Sequence, residues 1–127
     1  MQRRTFFQRL FAGFGAAVAT PLAGETHRSI LIQESPIAGF QFHRGDAIWS
    51  SLGVGQELEL VRESSNPHDA NAVAVHFHKD KLGYVPRSEN GAIAQILDRG
   101  ESLEARISKL VTAEDPWERI RFTITLV

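Results

Sequence analysis

The chain has 127 residues, with 14 lysines and arginines against 15 aspartates and glutamates and a formal charge of −1 at pH 7. That length supports one hydrophobic core and not two, and the charge balance excludes the broad basic face with which a protein grips long duplex through many phosphates. Cysteine is absent, which excludes disulfides, thiolate metal sites, a cysteine nucleophile and a lipid-modified N-terminal cysteine.

The N-terminal stretch Gln2-Arg3-Arg4-Thr5-Phe6-Phe7-Gln8-Arg9 is similar to the twin-arginine export motif, and the mildly apolar run Leu10 to Ala19 follows it. The run is about ten residues long, where a membrane-spanning helix needs about 20. It therefore reads as the apolar region of a signal peptide and not as a stable span, with Ala17, Ala19 or Ala23 as small residues for cleavage. Residues 1–23 are expected to be that signal, and the mature protein periplasmic or exported. A basic amphipathic helix on a cytoplasmic protein is the alternative. Removing residues 1–23 takes away Arg3, Arg4 and Arg9, leaving 11 basic against 15 acidic residues and a mildly acidic domain near −4.

Beyond this segment the dominant period is two, the mark of half-buried strands. Ser29 to Glu34 begins the series, and Asp46 could cap a turn or two carrying Ile48 and Leu52, ended by Gly53 and Gly55. Strands follow at Glu57 to Val61, at Ala72 to His78 and at Lys81 to Val85. In the second of these Val73, Val75 and Phe77 share one face, and Ala74, His76 and His78 the other. Ser88 stands where an N-cap belongs, with Ile93, Ile96 and Leu97 on one helical face before Gly100. Leu103 to Val111 is a strand whose alternation breaks between Ile107 and Leu110, predicting a bulge. Arg119 to Leu126 alternates cleanly through Ile120, Phe122, Ile124 and Leu126. Six strands and two short helices predict a mainly β fold that closes, or nearly closes, into a barrel, since closure removes exposed sheet edges.

Two stretches carry a resemblance. Asn66-Pro67-His68-Asp69-Ala70-Asn71-Ala72-Val73 is a polar turn feeding a strand, and Gly83-Tyr84-Val85-Pro86-Arg87 ends the next strand in an aromatic, a proline and a cation. Together with Gly39-Phe40-Gln41-Phe42-His43 and Leu58-Glu59-Leu60-Val61-Arg62-Glu63, they resemble the HIRAN domain. The resemblance covers roughly residues 36–110 and implies a six-stranded OB-like barrel, with the domain expected at residues 29–127. Its best-understood members hold the 3′ end of single-stranded DNA. Matching residues here are Gln41, Phe42, His43, His68, Asp69, Tyr84 and Arg87. DNA-binding relatives tend to have a basic residue where Gln41 stands and tyrosine where His68 stands.

The chemistry of these residues suits such an end. Phe42, His43, His68 and Tyr84 offer flat faces for bases, and Arg87 a fork for phosphate. Asp69 repels phosphate but accepts a hydrogen bond from a hydroxyl, favouring a terminal 3′-OH. Blander roles exist for each: Asn66 and Asp69 are good turn formers, Phe42 and Tyr84 ordinary strand packing, and Arg87 a solvated strand end. His76 and His78 with His68 or Asp69 imitate a zinc cluster, but a zinc site needs three or four convergent ligands, and no metal or cofactor is expected. No phosphate loop, nucleophile elbow or zinc helix is present, so the domain reads as a non-catalytic binder. Larger relatives carry ATPase and zinc-bearing domains elsewhere, and neither activity is expected of these residues. The alternative function is an exported barrel that binds a protein, glycan or small polar ligand through the same groove.

Overall fold

Alternation of apolar side chains sets the architecture of the computed structural model, which describes residues 29–127. The expected signal peptide lies outside the described residues. Six strands form one antiparallel sheet: β1 (Ile30–Pro36), β2 (Glu57–Arg62), β3 (Val73–Phe77), β4 (Asp80–Tyr84), β5 (Leu103–Leu110) and β6 (Ile120–Leu126), in the order β1-β6-β5-β2-β3-β4. Ile120, Phe122 and Ile124 of β6 are fully buried, as their spacing requires, and meet Ile37, Phe40, Val73, Val75, Leu82, Ile93 and Ile107 in a single core. Each such side chain stabilises the fold by roughly 1.5–3 kcal/mol on burial.

No ladder joins the sheet's two ends, β1 and β4, so the barrel remains open there. One isolated bridge spans the gap: Ala38 donates to the Tyr84 carbonyl at 2.8 Å, and the Tyr84 amide donates back at 2.9 Å. The Arg44 amide adds a bond to the Lys81 carbonyl at 3.0 Å. The coil after β1 thus lies along β4. Gly83 permits this approach, because a Cβ there would stand 2.3 Å from the Ala38 carbonyl oxygen, and its φ of 154° is one that side-chain-bearing residues rarely adopt.

The break of alternation in β5 is a bulge, with the register against β6 shifting between Ile107 and Lys109. Three local expectations need correction. Ser88 is not a cap: residues Arg87–Glu89 form a 3-10 turn, and α1 (Gly91–Asp98) begins after Asn90. Asp46 does not cap a helix either. It pairs with Arg119, while the predicted element is a 3-10 turn at Trp49–Ser51 preceded by Ile48. His78 leaves the strand face it was expected to share with His76, because it turns the β3–β4 hairpin at φ 55°.

Among the described residues no helix is long and apolar enough to cross a membrane.

Candidate functional site

The β3–β4 hairpin builds the first half of the site through an irregularity. Val75 pairs with Gly83 but His76 with Lys81, so Leu82 is an extra residue in β4. In a regular strand Lys81 and Tyr84 would face opposite sides. The bulge changes that parity, and the two side chains meet: Lys81 Nζ donates to Tyr84 Oη at 3.0 Å and lies 4.8 Å from the ring centroid.

Glu63, just past β2, completes a triad. Its Oε2 accepts from Lys81 at 2.8 Å, and its Oε1 accepts from Tyr84 Oη at 2.8 Å and from Asn66 Nδ2 at 3.1 Å. Burial alone raises the Glu63 pKa, but the bonds from Lys81, Asn66 and Tyr84 outweigh it and hold the carboxyl at about 2. The same bonds to Glu63 and Tyr84 raise the Lys81 pKa. The His43 ring meets the Tyr84 ring edge-on at 5.7 Å. Burial, and then the Lys81 charge, lower its pKa, which favours the neutral form of the ring.

Asn66 connects the triad to the second half of the site. While its Nδ2 serves Glu63, its Oδ1 accepts from the backbone amides of His68 at 2.8 Å and Asp69 at 3.2 Å. This is the Asx geometry that makes asparagine a turn former. Asp69 Oδ1 in turn accepts from the Asn71 amide at 2.9 Å, and Oδ2 from Asn90 Nδ2 at 2.7 Å. The Asn71 bond is the main cause of a lowered Asp69 pKa; partial burial opposes it, and the Asn90 bond and the charges of Arg87 and Arg62 reinforce it.

The structure therefore joins Tyr84 and Asp69 through one continuous hydrogen-bond network, which His68 enters by its backbone amide and His43 meets only by its ring contact with Tyr84, with exposed Arg87 in the adjoining 3-10 turn. Gln41 and Phe42 stand in the 3-10 turn Phe40–Phe42 beside His43, and Phe42 is 77 % exposed. Neither the Gln41 nor the His68 side chain is drawn into the hydrogen bonds of that network among the described residues. The exposed Phe42 ring is not core packing. His76 and His78 diverge, and no group of three or more ligating residues among the described ones could hold a metal ion.

Glu63, Lys81 and Asn90 were not singled out from the sequence. Glu63 and Lys81 are joined only by the fold, and the bulge that aligns Lys81 with Tyr84 leaves no alternation signal in five residues. Asn90 could have been found only as an asparagine at a helix start.

Residues 30–127 match the HIRAN domain family. The chain belongs to that family. HIRAN domains are nucleic-acid-binding modules. A crystal structure of a protein from Lactobacillus plantarum superposes with a TM-score of 0.67 at 26% identity, covering 77% of this chain and 94% of that one. The HIRAN domain of human HLTF superposes with a TM-score of 0.61 at 20% identity, covering 77% and 78% respectively, and supports the fold alone. No curated protein matches the chain.

Proposed function

We propose that this HIRAN domain binds the 3′ end of single-stranded DNA and breaks no bond in doing so. The observation that carries the reading is the state of Asp69: each carboxylate oxygen holds a single donor, and the group forms no ion pair among the described residues. A carboxylate oxygen has two lone pairs, so acceptor capacity is left for a hydroxyl, while the negative charge disfavours a terminal phosphate. Exposed Phe42 and the His43–Tyr84 pair supply stacking surfaces, worth about 1–3 kcal/mol per base. Arg87 is free of salt bridges among the described residues and suits the preceding phosphate.

The test is binding of 3′-OH and 3′-phosphate oligonucleotides at low salt. Asp69→Ala should weaken 3′-OH binding by about 1.5–3 kcal/mol, the range for a hydrogen bond to a charged group, with thermal unfolding measured alongside. Asp69→Asn should be milder, and both should narrow the preference between the two ends. Folded Asp69→Ala that binds both ends as the unaltered chain does would reduce Asp69 to a turn residue. The uncharged Gln41 and the acidic balance of residues 24–127 favour the second reading in that event, a protein, glycan or small polar ligand in the same groove.

Export through the twin-arginine route is part of the proposal, and it matters because periplasmic DNA ends come only from taken-up or released DNA. Replacing Arg3 and Arg4 with lysine should keep the precursor in the cytoplasm. Fractionation that finds the unaltered chain full-length and cytoplasmic overturns it.

A further inference from the structure

Asparagine is among the best N-cap residues, because its side-chain oxygen can accept from a free amide of the first turn. Asn90 occupies that position in α1, with its backbone oxygen accepting from Ala94 at 2.8 Å, yet its side chain makes no capping bond. The amide is instead directed out of the helix, where Nδ2 donates to Asp69 Oδ2. Asn90 is 2 % exposed. With φ −94° and ψ −9° the backbone of Asn90 is not in the extended conformation from which a cap side chain bonds its own helix, and the one hydrogen bond of its buried amide goes to a partner 21 residues away.

The turn before it is anchored from the opposite side. Ser35 of β1, fully buried, donates to Glu89 Oε1 at 2.7 Å, and Gln33 Nε2 donates to the Glu89 carbonyl at 3.2 Å. Residues 87–90 are thus tied to β1 through Glu89 and to the Asp69 turn through Asn90, with exposed Arg87 at the start of the same short segment. Since Asn71 fixes Oδ1 of Asp69 and Asn90 fixes Oδ2, the plane of the carboxylate is set, and with it the direction of the remaining lone pairs.

We propose that Asn90 is a positioning residue for end selectivity: it aims the Asp69 carboxylate at the terminal 3′ hydroxyl and fixes its placement relative to Arg87. This rests on the reading that Asp69 meets a 3′ end. Without Asn90 the carboxylate keeps its charge but loses its orientation. Discrimination between ends then falls, while stacking on Phe42 and the phosphate contact of Arg87 persist.

The experiment compares the full-length chain with Asn90→Leu, which keeps the branched shape without the donor, and with the smaller Asn90→Ser, which lowers the risk of misfolding. Affinities for oligothymidine ending in 3′-OH and in 3′-phosphate are measured at a temperature where unfolding curves show each variant folded. The expected result is a preference for 3′-OH reduced about five- to tenfold, less than the full loss of a hydrogen bond to a charged group because the carboxylate stays and only its aim is lost, with 3′-phosphate affinity changed less than about twofold. A second readout needs no ligand: the midpoint of the Asp69 carboxyl titration followed by carbon NMR should rise in both variants, although Asn71, Arg87 and Arg62 still act on it. Variants that keep the wild-type preference and midpoint overturn the role of Asn90 alone. A wild-type chain with no preference between the ends overturns the inference together with the Asp69 reading beneath it.

Discussion

The strand end at Glu63, Lys81 and Tyr84 and the turn at Asn66 to Asp69 share a polar network but differ in how far their groups are satisfied. Glu63 receives three donors, one of them a full positive charge, and Glu63 and Lys81 are each about three-quarters covered. Asp69 receives two neutral donors and keeps capacity on both oxygens. A satisfied ion pair of this kind stiffens the strand end and has little left to offer a ligand. The less satisfied carboxylate is the one able to recognise something, and the pair shows why counting acidic residues near a groove does not locate the ligand contact.

The largest effect should come from removing what lets the two regions meet. Gly83→Ala places a Cβ against the Ala38 carbonyl at a φ unsuited to alanine, so it should destabilise the fold by about 3 kcal/mol in urea unfolding. Unchanged stability would mean that the coil at 37–45 does not need its seat on β4. Next comes Lys81→Met, which leaves the Glu63 carboxylate about three-quarters covered without its cation; a loss of about 2 kcal/mol is expected. Its preference for a 3′-OH end should survive, while Asp69→Asn should do the reverse, with a narrowed preference and a smaller loss of stability, that of one donor its single amide oxygen cannot accept. Exchange of those two outcomes would invert the assignment of the carboxylates.

How much of this contrast the sequence carried depends on the range of the signal. Strands with clean alternation, such as Ile120 to Leu126, and the broken one at Ile107 to Leu110 were legible because each residue's face follows from its neighbours. So were the turn residues at Asn66 to Asp69. Closure was legible only in part, since the gap between β1 and β4 is spanned by a single bridge and not a ladder. Ser88 was misread as a cap because the 3-10 turn at Arg87–Glu89 delays the helix start to Gly91. The Glu63–Lys81 pair and the Asn90–Asp69 bond were not legible at all: each joins side chains 18 or 21 residues apart, and a bulge sets the facing of Lys81.

Acid should separate the two carboxylates by size of effect. Glu63 ionises at about 2 in the fold against an ordinary 4.5, so its contribution is complete above pH 4.5 and is lost as the pH falls toward 2. With solvent reaching about a quarter of the side chain, the loss should be about 1–2 kcal/mol. Asp69 is depressed in the same direction and adds to the same side. Stability followed across this range should flatten most in Glu63→Gln and less in Asp69→Asn. A curve that flattens more for Asp69→Asn would mean that Asp69, not Glu63, holds the more strongly stabilised charge.

The smallest effect concerns salt, and it probes whether the strand end stays closed on itself when a ligand arrives. Three of the four cations near the groove are already engaged, Lys81 with Glu63 at 2.8 Å, Arg62 with Asp98 at 3.0 Å and Arg44 with Asp80 at 3.3 Å. That leaves Arg87 as the cation there without a salt bridge among the described residues. Each phosphate neutralised on a single strand contributes a slope of about −0.7 to the logarithm of affinity against the logarithm of salt. Engagement by Arg87 alone therefore implies about −0.7, or an affinity loss of only about 2.5-fold between 50 and 200 mM salt. Recruitment of Arg44 as well brings the slope to about −1.4. Arg87→Gln should abolish most of it. A slope near −2 or steeper would require Lys81 to leave Glu63 or Arg62 to leave Asp98 on binding, and a slope that Arg62→Gln does not reduce would make the strand end a participant in recognition instead of its fixed support.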